Sequence, residues 1–527
     1  MTDQDPVLDL SGLTIDFGAR RVLHGLDLRI GRGECVALVG ESGSGKSVTA
    51  KALLGLLDAR VATDRFTILG QDAAALDERA WRRIRGRQVA LVHQDALVSL
   101  DPLRTVAREV GEPLREHSVV PRAERAAEVR RLLGSVGFPG GSRRASQHPD
   151  ELSGGLRQRA LIASAVAARP ALLIADEPTT ALDVTVQAQV IDLLRALTSA
   201  GMAMLFISHD IAVVSQVADR IVVLRDGQVV ETGPVEQILH RPGADFTRRL
   251  VQNALEPTFT DIGDRPAPGR EVLRLEAVSK RFGTAHHPIV AATDVDLRVH
   301  QGEVVSLIGE SGSGKTTVGR IALGLLSPDR GSVALDGEPW NPLPERARRS
   351  RRHRVQQVPQ DPLSSFNPRY TTRRVVAEAL RAQGRPAGTQ EVAAVLDLVS
   401  LDADLLDRMP RSMSGGQRQR LAFARALATE PDVLVADEPF SALDATLQAE
   451  LVGVLDRIRQ EHQLGVLLIT HDLGLAARIS DRILVMRDGV VVDQGTPKVL
   501  IESSDHPYTR QLLAAVPRIR TSPRVLR

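Results

Sequence analysis

Two glycine-rich segments carry residue types that suit phosphate binding. G-E-S-G-S-G-K stands at positions 40–46 and recurs 269 positions later, and a hydroxyl residue follows each copy. Glycines let backbone N–H groups curl around phosphate oxygens, and a helix that starts there adds positive potential. Lys46 and Lys315 would bind the β- and γ-phosphates of a nucleotide, while Ser47 and Thr316 would ligate Mg²⁺. The predicted nucleotide-binding residues are Gly40, Glu41, Ser42, Gly43, Ser44, Gly45, Lys46 and Ser47, and Gly309, Glu310, Ser311, Gly312, Ser313, Gly314, Lys315 and Thr316.

An acidic pair ends an apolar run in each half of the chain. The runs are A-L-L-I-A-D-E, ending at Glu177, and V-L-V-A-D-E, ending at Glu438. Asp176 and Asp437 suit the Mg²⁺ shell, and the two glutamates suit the orientation of an attacking water. Adjacent carboxylates at a strand end are also common as solvated caps. Their position relative to the glycine-rich loops favours the functional interpretation.

A second glycine-containing motif opens a helical stretch in each half. The strings are L-S-G-G-L-R-Q-R at 152–159 and M-S-G-G-Q-R-Q-R at 413–420. A serine N-cap and exposed N–H groups at a helix start form an anion site, although a lone S-G-G is more often an ordinary capped helix. The residues concerned are Ser153, Gly154, Gly155, Ser414, Gly415 and Gly416.

Apolar runs and helix-length segments alternate around these motifs. Cys35–Val39 and Val304–Ile308 each lead into a glycine-rich loop and a helical pattern, which predicts strand, loop and helix. This alternation predicts a largely parallel α/β sheet in each half. The stretches 100–150 and 366–410 are mainly helical and predict an inserted helical subdomain. Further strands are predicted at Ala171–Ala175, Ala203–Ile207, Ile221–Leu224, Val433–Ala436, Val466–Ile469 and Ile483–Met486, and long helices at Val184–Leu197 and Ala445–Ile458.

The sequence contains two copies of a unit of about 260 residues. A-D-E-P and S-G-G both recur at an offset of 261. The segment 253–270 lacks apolar periodicity and contains three prolines, which is typical of a linker. We predict domains at 1–252 and 271–505, joined by this linker and followed by a tail at 506–527.

Composition excludes several classes of protein. The 527 residues include 67 basic and 65 acidic side chains, and this balance gives no support for nucleic-acid binding. Cys35 is the single cysteine, so an internal disulfide and a four-thiolate iron-sulfur cluster are excluded. No apolar run reaches the length of a membrane span and the start lacks signal-peptide features, so we expect a cytoplasmic chain. The arginine runs at 79–87 and 345–354 are predicted to be solvated helical faces.

The combined motifs resemble those of ATP-binding cassette (ABC) transporter ATPases with two fused nucleotide-binding domains. This resemblance covers nearly the whole chain and implies tandem P-loop NTPase domains. Each would contain a mixed, largely parallel sheet core, an antiparallel β subdomain and a helical subdomain. In that family the S-G-G signature motif completes the ATP site of the opposite domain. The resemblance therefore implies an ATPase with ATP and Mg²⁺ at two sites.

The resemblance also assigns roles to residues outside the two phosphate loops. Gln94 and Gln360 match the Q-loop glutamine, which meets Mg²⁺ and the nucleophilic water. His209 and His471 match the switch histidine, Asp183 and Asp444 match the D-loop aspartate, and Phe17 and Phe282 match the aromatic residue that stacks on adenine. No essential group is missing from either half, which implies that both sites hydrolyse ATP. Leu156 replaces the glutamine found at position 417, and Ala96 replaces the proline found at 362.

Local strings resemble one branch of the family, the oligopeptide and dipeptide importers. They are Q-D-x-x-x-S-x-[DN]-P at 94–102 and 360–368, and H-P-Y-T-R-Q-L-L at 506–513, with a weaker copy at 240–250. The resemblance implies two membrane permease subunits, an indirect link to an extracytoplasmic solute-binding protein, and a peripheral location on the cytoplasmic face of the inner membrane. No iron-sulfur cluster is expected because the tail contains no cysteine. No nucleic-acid partner is expected.

Other functions stay open on the sequence. The solute could be glutathione or a nickel complex, and an exporter with separate permease chains remains possible. A soluble tandem ABC ATPase acting on ribosomes or DNA belongs to a different class. It is disfavoured because the linker is short, and because no coiled-coil or zinc-binding insertion is present.

Overall fold

A computed structural model describes most of the chain. The described residues are 5–41, 43–94, 96–138, 144–180, 182–255, 269–284, 287–440, 443 and 445–516. Ser42, Asp444, most of the predicted linker and the end of the predicted tail lie outside them. The chain forms two compact units, made mostly of the residues before and after that linker.

The half before the linker alternates strands and helices. Its strands are β1 Leu8–Phe17, β2 Arg20–Ile30, β3 Cys35–Val39, β4 Arg60–Ala62, β5 Arg65–Ile68, β6 Gln71–Asp72, β7 Val89–Val92, β8 Leu172–Asp176, β9 Ala203–Ser208, β10 Arg220–Arg225 and β11 Gln228–Pro234. Its helices are α1 Lys46–Ala52, α2 Glu78–Ile84, α3 Ala96–Ser99, α4 Val106–Glu116, α5 Arg125–Ser135, α6 Gly154–Val166, α7 Val184–Ser199, α8 Ile211–Val217, α9 Val235–His240 and α10 Asp245–Leu255.

The half after the linker repeats this order. Its strands are β12 Glu271–Thr284, β13 His287–His300, β14 Val304–Ile308, β15 Arg330–Leu335, β16 Glu338–Asn341, β17 Val355–Val358, β18 Val433–Asp437, β19 Gly465–Thr470, β20 Arg482–Arg487 and β21 Val490–Gly495. Its helices are α11 Lys315–Ala322, α12 Glu345–Arg348, α13 Pro362–Ser365, α14 Thr372–Ala382, α15 Thr389–Leu398, α16 Gly415–Leu427, α17 Ala445–His462, α18 Leu473–Ile479, α19 Pro497–Ser503 and α20 Pro507–Ala515.

Each unit contains one mostly parallel sheet and one antiparallel sheet. The core sheets have the orders β11-β10-β3-β9-β8-β7 and β17-β18-β19-β14-β20-β21, in which only the β10–β11 and β20–β21 pairs are antiparallel. The antiparallel sheets have the orders β2-β1-β5-β6, with β4 beside β1, and β13-β12-β15-β16. The predicted α/β fold with an antiparallel subdomain and a helical subdomain is confirmed. The strands and helices predicted from the sequence also match, with ends that differ by a few residues.

Strand β3 shows how the core sheet is buried on both faces. All five of its residues are buried, and their side chains alternate in direction. Cys35, Ala37 and Val39 pack in the cluster that contains the helical subdomain. Val36 and Leu38 pack in the cluster that contains the antiparallel sheet. The core sheet therefore lies between these two layers.

The parallel register brings three functional segments to one edge of the sheet. In the first unit Val39 aligns with Ser208, and Ile207 aligns with Asp176. The phosphate loop follows β3, the acidic pair ends β8, and His209 follows β9. Carboxyl ends of parallel strands meet at the same edge, which is where ligands bind in open α/β sheets.

The second arginine run departs from the predicted solvated face. Arg348 is buried, donates a hydrogen bond to the Gly324 carbonyl at 2.6 Å, and stacks 5.4 Å from the ring centroid of Trp340. Arg351 and Arg352 also lie over that ring. The prediction was wrong here because an aromatic side chain offers arginine a packing surface that a charge pattern does not reveal. Among the described residues, no helix is both long and apolar enough to cross a membrane.

Candidate nucleotide sites

The two glycine-rich loops have closely similar backbones. Gly45 and Gly314 precede helices α1 and α11 with φ angles of 106° and 104°, a region that favours glycine. A Cβ atom at Gly40 would lie 2.1 Å from the Leu224 carbonyl oxygen. One at Gly309 would lie equally close to the carbonyl of Met486. Both loops therefore need glycine where the backbone turns and where it passes the neighbouring strand.

The loop lysines are buried inside the loops that carry them. Lys46 Nζ donates hydrogen bonds to the carbonyls of Gly40 and Glu41 at 2.8 and 2.9 Å. Lys315 Nζ repeats this with Gly309 and Glu310 at 2.8 and 2.7 Å. Burial lowers the pKa of Lys315, although nearby carboxylates oppose the shift. Each ammonium is held at the centre of its loop, where it can bind phosphate oxygens.

A hydroxyl group and a carboxylate lie together beside each loop. Ser47 Oγ donates to Asp176 at 3.1 Å, and Thr316 Oγ1 donates to Asp437 at 3.4 Å. Burial raises the pKa of both aspartates, and the charge of the adjacent glutamate adds to this. A carboxylate beside a hydroxyl supplies the hard oxygen donors that Mg²⁺ prefers. Each unit therefore brings one predicted hydroxyl ligand and one predicted aspartate ligand together, while the predicted glutamine ligands donate to the neighbouring glutamates.

Glu177 lies at the centre of a hydrogen-bond network in the first unit. Gln94 Nε2 and Thr180 Oγ1 each donate to its Oε2 at 3.0 Å, and His209 Nδ1 lies 3.3 Å from its Oε1. Its own backbone N–H donates to the Ile207 carbonyl at 2.9 Å. These contacts fix both carboxylate oxygens of Glu177. Thr180 was not among the predicted site residues, although it stands three positions before the D-loop residue Asp183.

In the second unit Glu438 has the corresponding glutamine and histidine contacts. Gln360 Nε2 donates to Oε2 at 2.7 Å, and His471 Nδ1 lies 3.1 Å from Oε1. Glu177 and Glu438 both have φ of 48°, which is an uncommon conformation for a side chain larger than glycine. Such outliers persist where surrounding contacts hold them, and they cluster at functional sites.

The glutamates and histidines shift each other's ionisation. Burial raises the pKa of Glu438, but the hydrogen bond and charge of His471 outweigh it, so the pKa is below the usual value. Burial lowers the pKa of His471, but Glu438 outweighs it in turn and the net pKa is raised. Glu177 and His209 show the same directions. The glutamate is therefore kept as a carboxylate, the form that can orient a water molecule.

The two S-G-G motifs differ in their capping. Ser414 opens α16 with a capping box, because its Oγ accepts from the Gln417 N–H at 3.2 Å and its own N–H donates to Gln417 Oε1 at 3.1 Å. Ser153 opens α6 without a side-chain capping hydrogen bond. Leu156 stands where Gln417 stands in the second half and cannot return that hydrogen bond. The serine N-cap predicted for both motifs is therefore complete only in the second.

The remaining predicted residues fall in different environments. Phe17 and Phe282 are each 42% exposed, so neither is a core residue. Lys280 Nζ lies 5.8 Å from the ring centroid of Phe282. Asp183 is buried. Its counterpart Asp444 lies outside the described residues, as does Ser42 of the first loop.

Sequence comparison decides the family. The ABC transporter family model matches residues 23–180 and 292–441, more than half of the chain. The chain belongs to the ABC transporter family. It contains two ABC domains and is an ATPase that serves transport, as predicted. A second model, the oligopeptide/dipeptide transporter C-terminal region, matches residues 492–527.

Full-length relatives share this organisation. The ABC chain is 37% identical to the glutathione import ATP-binding protein GsiA of Salmonella choleraesuis, over 98% of this chain and 90% of that protein. It is 40% identical to the peptidoglycan transport ATP-binding protein YejF of Agrobacterium fabrum, over 98% and 97%. A model of ribosome-bound archaeal Pelota and ABCE1 is similar in fold, with a TM-score of 0.64, 20% identity, and coverage of 96% of this chain and 80% of that one. At that identity the likeness concerns the fold alone.

Proposed function

We propose that this ABC ATPase powers the import of di- or oligopeptides, or a related small solute, through separate membrane permease subunits. The C-terminal region at 492–527 carries this proposal, because its family model describes oligopeptide and dipeptide transporters. The relatives named for glutathione import and peptidoglycan transport support the same branch. Glutathione, itself a small peptide, is the second candidate solute.

We propose that two kinds of residue carry out the hydrolysis, one that binds the phosphates and one that orients the attacking water. Lys46 and Lys315 bind the β- and γ-phosphates and offset the charge that develops in the transition state. Glu177 and Glu438 orient the attacking water, because each carboxylate is ionised and held by a glutamine and a histidine. Positioning and electrostatics of this kind supply most of the catalysis in phosphoryl transfer.

The other predicted residues complete the proposed sites. Ser47 with Asp176, and Thr316 with Asp437, would hold Mg²⁺, which supplies charge neutralisation on the phosphates when bound. Gln94 and Gln360 would lie between the metal and the water. Phe17 and Phe282 would stack on adenine. The S-G-G segments would bind phosphate through their helix N-termini.

The proposed partners follow from the same assignment. Two permease subunits would carry the transport pathway, and a solute-binding protein outside the membrane would deliver the solute to them. The chain would lie on the cytoplasmic face of the inner membrane, bound to the permeases. No nucleic-acid partner is proposed.

The test of this proposal is purification of the tagged chain from gently solubilised membranes, with mass-spectrometric identification of what accompanies it. Multi-span permease subunits are expected among the proteins that accompany it. Ribosomal or DNA-associated proteins without any membrane protein would refute the import function. Reconstitution of the purified complex in liposomes then separates the solutes, since ATP hydrolysis should rise with a dipeptide, an oligopeptide or glutathione only when it is transported.

A further inference from the structure

The C-terminal helix of the second unit reaches the phosphate loop. Tyr508, near the start of α20, is 1% exposed, and its hydroxyl accepts a hydrogen bond from the Glu310 N–H at 3.1 Å. The two residues are 198 positions apart in the chain. A tyrosine buried to this degree normally satisfies its hydroxyl, and here the partner is the backbone of the nucleotide site.

The hydrogen bond acts on the peptide group that also holds the loop lysine. The Glu310 N–H and the Gly309 carbonyl belong to one planar peptide. That carbonyl accepts a hydrogen bond from Lys315 Nζ at 2.8 Å. Tyr508 and Lys315 therefore hold the same peptide from its two ends. Such chained hydrogen bonds strengthen each other.

Neighbouring contacts hold the tyrosine in place. The guanidinium carbon of Arg487, at the end of β20, lies 4.8 Å from the ring centroid. Thr509 Oγ1 donates to Asp493 on β21 at 2.7 Å, which anchors the same helical turn. Burial raises the pKa of Tyr508 to about 12, so the hydroxyl is neutral at physiological pH. The phenol is thus a rigid acceptor.

The first half repeats the helix without the hydroxyl. Phe246, in the weaker copy of the H-P-Y-T string, is buried under Arg225, whose guanidinium carbon lies 5.1 Å from the ring centroid. This contact matches that of Arg487 with Tyr508. A phenylalanine has no oxygen with which to accept a hydrogen bond from a loop. Phe246 therefore cannot give the first phosphate loop the hydrogen bond that Tyr508 gives the second.

We propose that Tyr508 is a positioning residue for the second phosphate loop: its hydroxyl orients the Gly309–Glu310 peptide, and with it Lys315, so that the C-terminal helix raises nucleotide affinity at that loop alone. This inference rests on the proposed binding of ATP by that loop. It makes the two sites of the chain unequal even though both carry a complete set of catalytic groups. Both rings lie under an arginine at a similar distance, and the hydroxyl distinguishes the tyrosine from the phenylalanine.

The test measures ATP affinity in full-length chains with one loop disabled. In a Lys46→Ala chain, where the second loop remains, Tyr508→Phe should raise the Kd for ATP about three- to tenfold, the effect of losing one hydrogen bond. In a Lys315→Ala chain, where the first loop remains, the same substitution should leave the Kd unchanged. Gln511→Ala removes an exposed side chain from the same helix, without touching the loop or the contacts that hold the tyrosine, and should change neither value.

The outcomes separate the positioning role from a structural one. An unchanged Kd in the Lys46→Ala chain, or an equal rise in both chains, would overturn the role of Tyr508. A Lys46→Ala chain that binds no ATP while Tyr508 is intact would overturn the ATP site at the second loop and the role of Tyr508 with it. Tyr508→Phe should not unfold the helix, since the first half folds with phenylalanine there, and a thermal unfolding curve for each variant checks this.

Discussion

The side-chain amide of Gln360 donates a hydrogen bond to the carboxylate of Glu438 at 2.7 Å. The glutamine lies just after β17 and the glutamate directly follows β18, two strands that are paired in parallel. Gln94 and Glu177 repeat the relationship in the first unit at 3.0 Å. A neutral amide donor and a histidine thus fix the carboxylate on which the proposed hydrolysis depends.

Replacement of both glutamates should separate ATP binding from hydrolysis. In a Glu177→Gln, Glu438→Gln chain we expect hydrolysis to fall about 100-fold or more, because an amide cannot orient water as a carboxylate does. Binding should persist, since the loop lysines are unchanged. Phosphate release and nucleotide titration measure the two effects. Glu461→Gln, at an exposed position of α17, is the control. Turnover at the normal rate in the double variant would contradict the proposed role.

Removal of the Gln360 amide should slow the second site without abolishing it. Glu438 would lose one hydrogen bond and keep that of His471. We expect a fall of about tenfold in kcat, the effect of a lost hydrogen bond to a charged group. The measurement uses Gln360→Ala in a Glu177→Gln chain, so that only the second site turns over. Gln460→Ala, exposed on α17, serves as control. Turnover that is unchanged by Gln360→Ala would contradict the role of this amide at the second site.

Lys46→Ala should remove one ATP site and leave the other. The ammonium of Lys46 is held within its own loop by the carbonyls of Gly40 and Glu41. Calorimetric titration should therefore give half the stoichiometry of the unmodified chain. Lys51→Ala, at an exposed position of the same helix, should give the full value. Complete loss of binding in the Lys46→Ala chain would contradict an independent ATP site at the second loop.

An ion pair in the helical subdomain predicts a pH-dependent stability. The hydrogen bonds of Arg131, and then of Arg169, lower the pKa of Glu128 from its usual 4.5 to about 2. Because the pKa of Glu128 is depressed in the folded chain, the ion pair stabilises the fold at pH values above the usual pKa of 4.5. This contribution is lost as the pH falls towards about 2. Both arginines are more than half exposed, and solvent screens the pair. We therefore expect the pair to contribute about 1 kcal/mol to the free energy of unfolding, less than the pKa shift alone implies.

Urea unfolding of Glu128→Gln measures this contribution. The variant should be less stable than the unmodified chain at pH 7, and the difference should shrink at pH 3.5. Glu124→Gln, at an exposed position beside the same helix, should unfold like the unmodified chain at both values. A difference that grows on acidification has the opposite sign and would exclude the assigned cause.

The phosphate loops could be predicted from the sequence because their chemistry is local. Strand, glycine-rich turn, lysine and hydroxyl residue lie within about a dozen positions, and the φ of 106° at Gly45 is one that glycine readily adopts. The buried strands could also be predicted, because a strand that is buried on both faces is a continuous apolar run without alternating polar residues. The acidic pairs followed from their place at the ends of such runs.

Other features depended on contacts between distant parts of the chain. No local pattern shows that Gln94 reaches Glu177, 83 positions away, or that Tyr508 reaches Glu310, 198 positions away. The first contact follows from the parallel pairing of β7 with β8, which places the carboxyl ends of both strands at one edge of the sheet. The second contact depends on the packing of α20 against the loop that follows β14. The sequence by itself thus determined which groups are available for chemistry. The tertiary structure decided which of them meet, because sheet order and packing are properties of the whole fold.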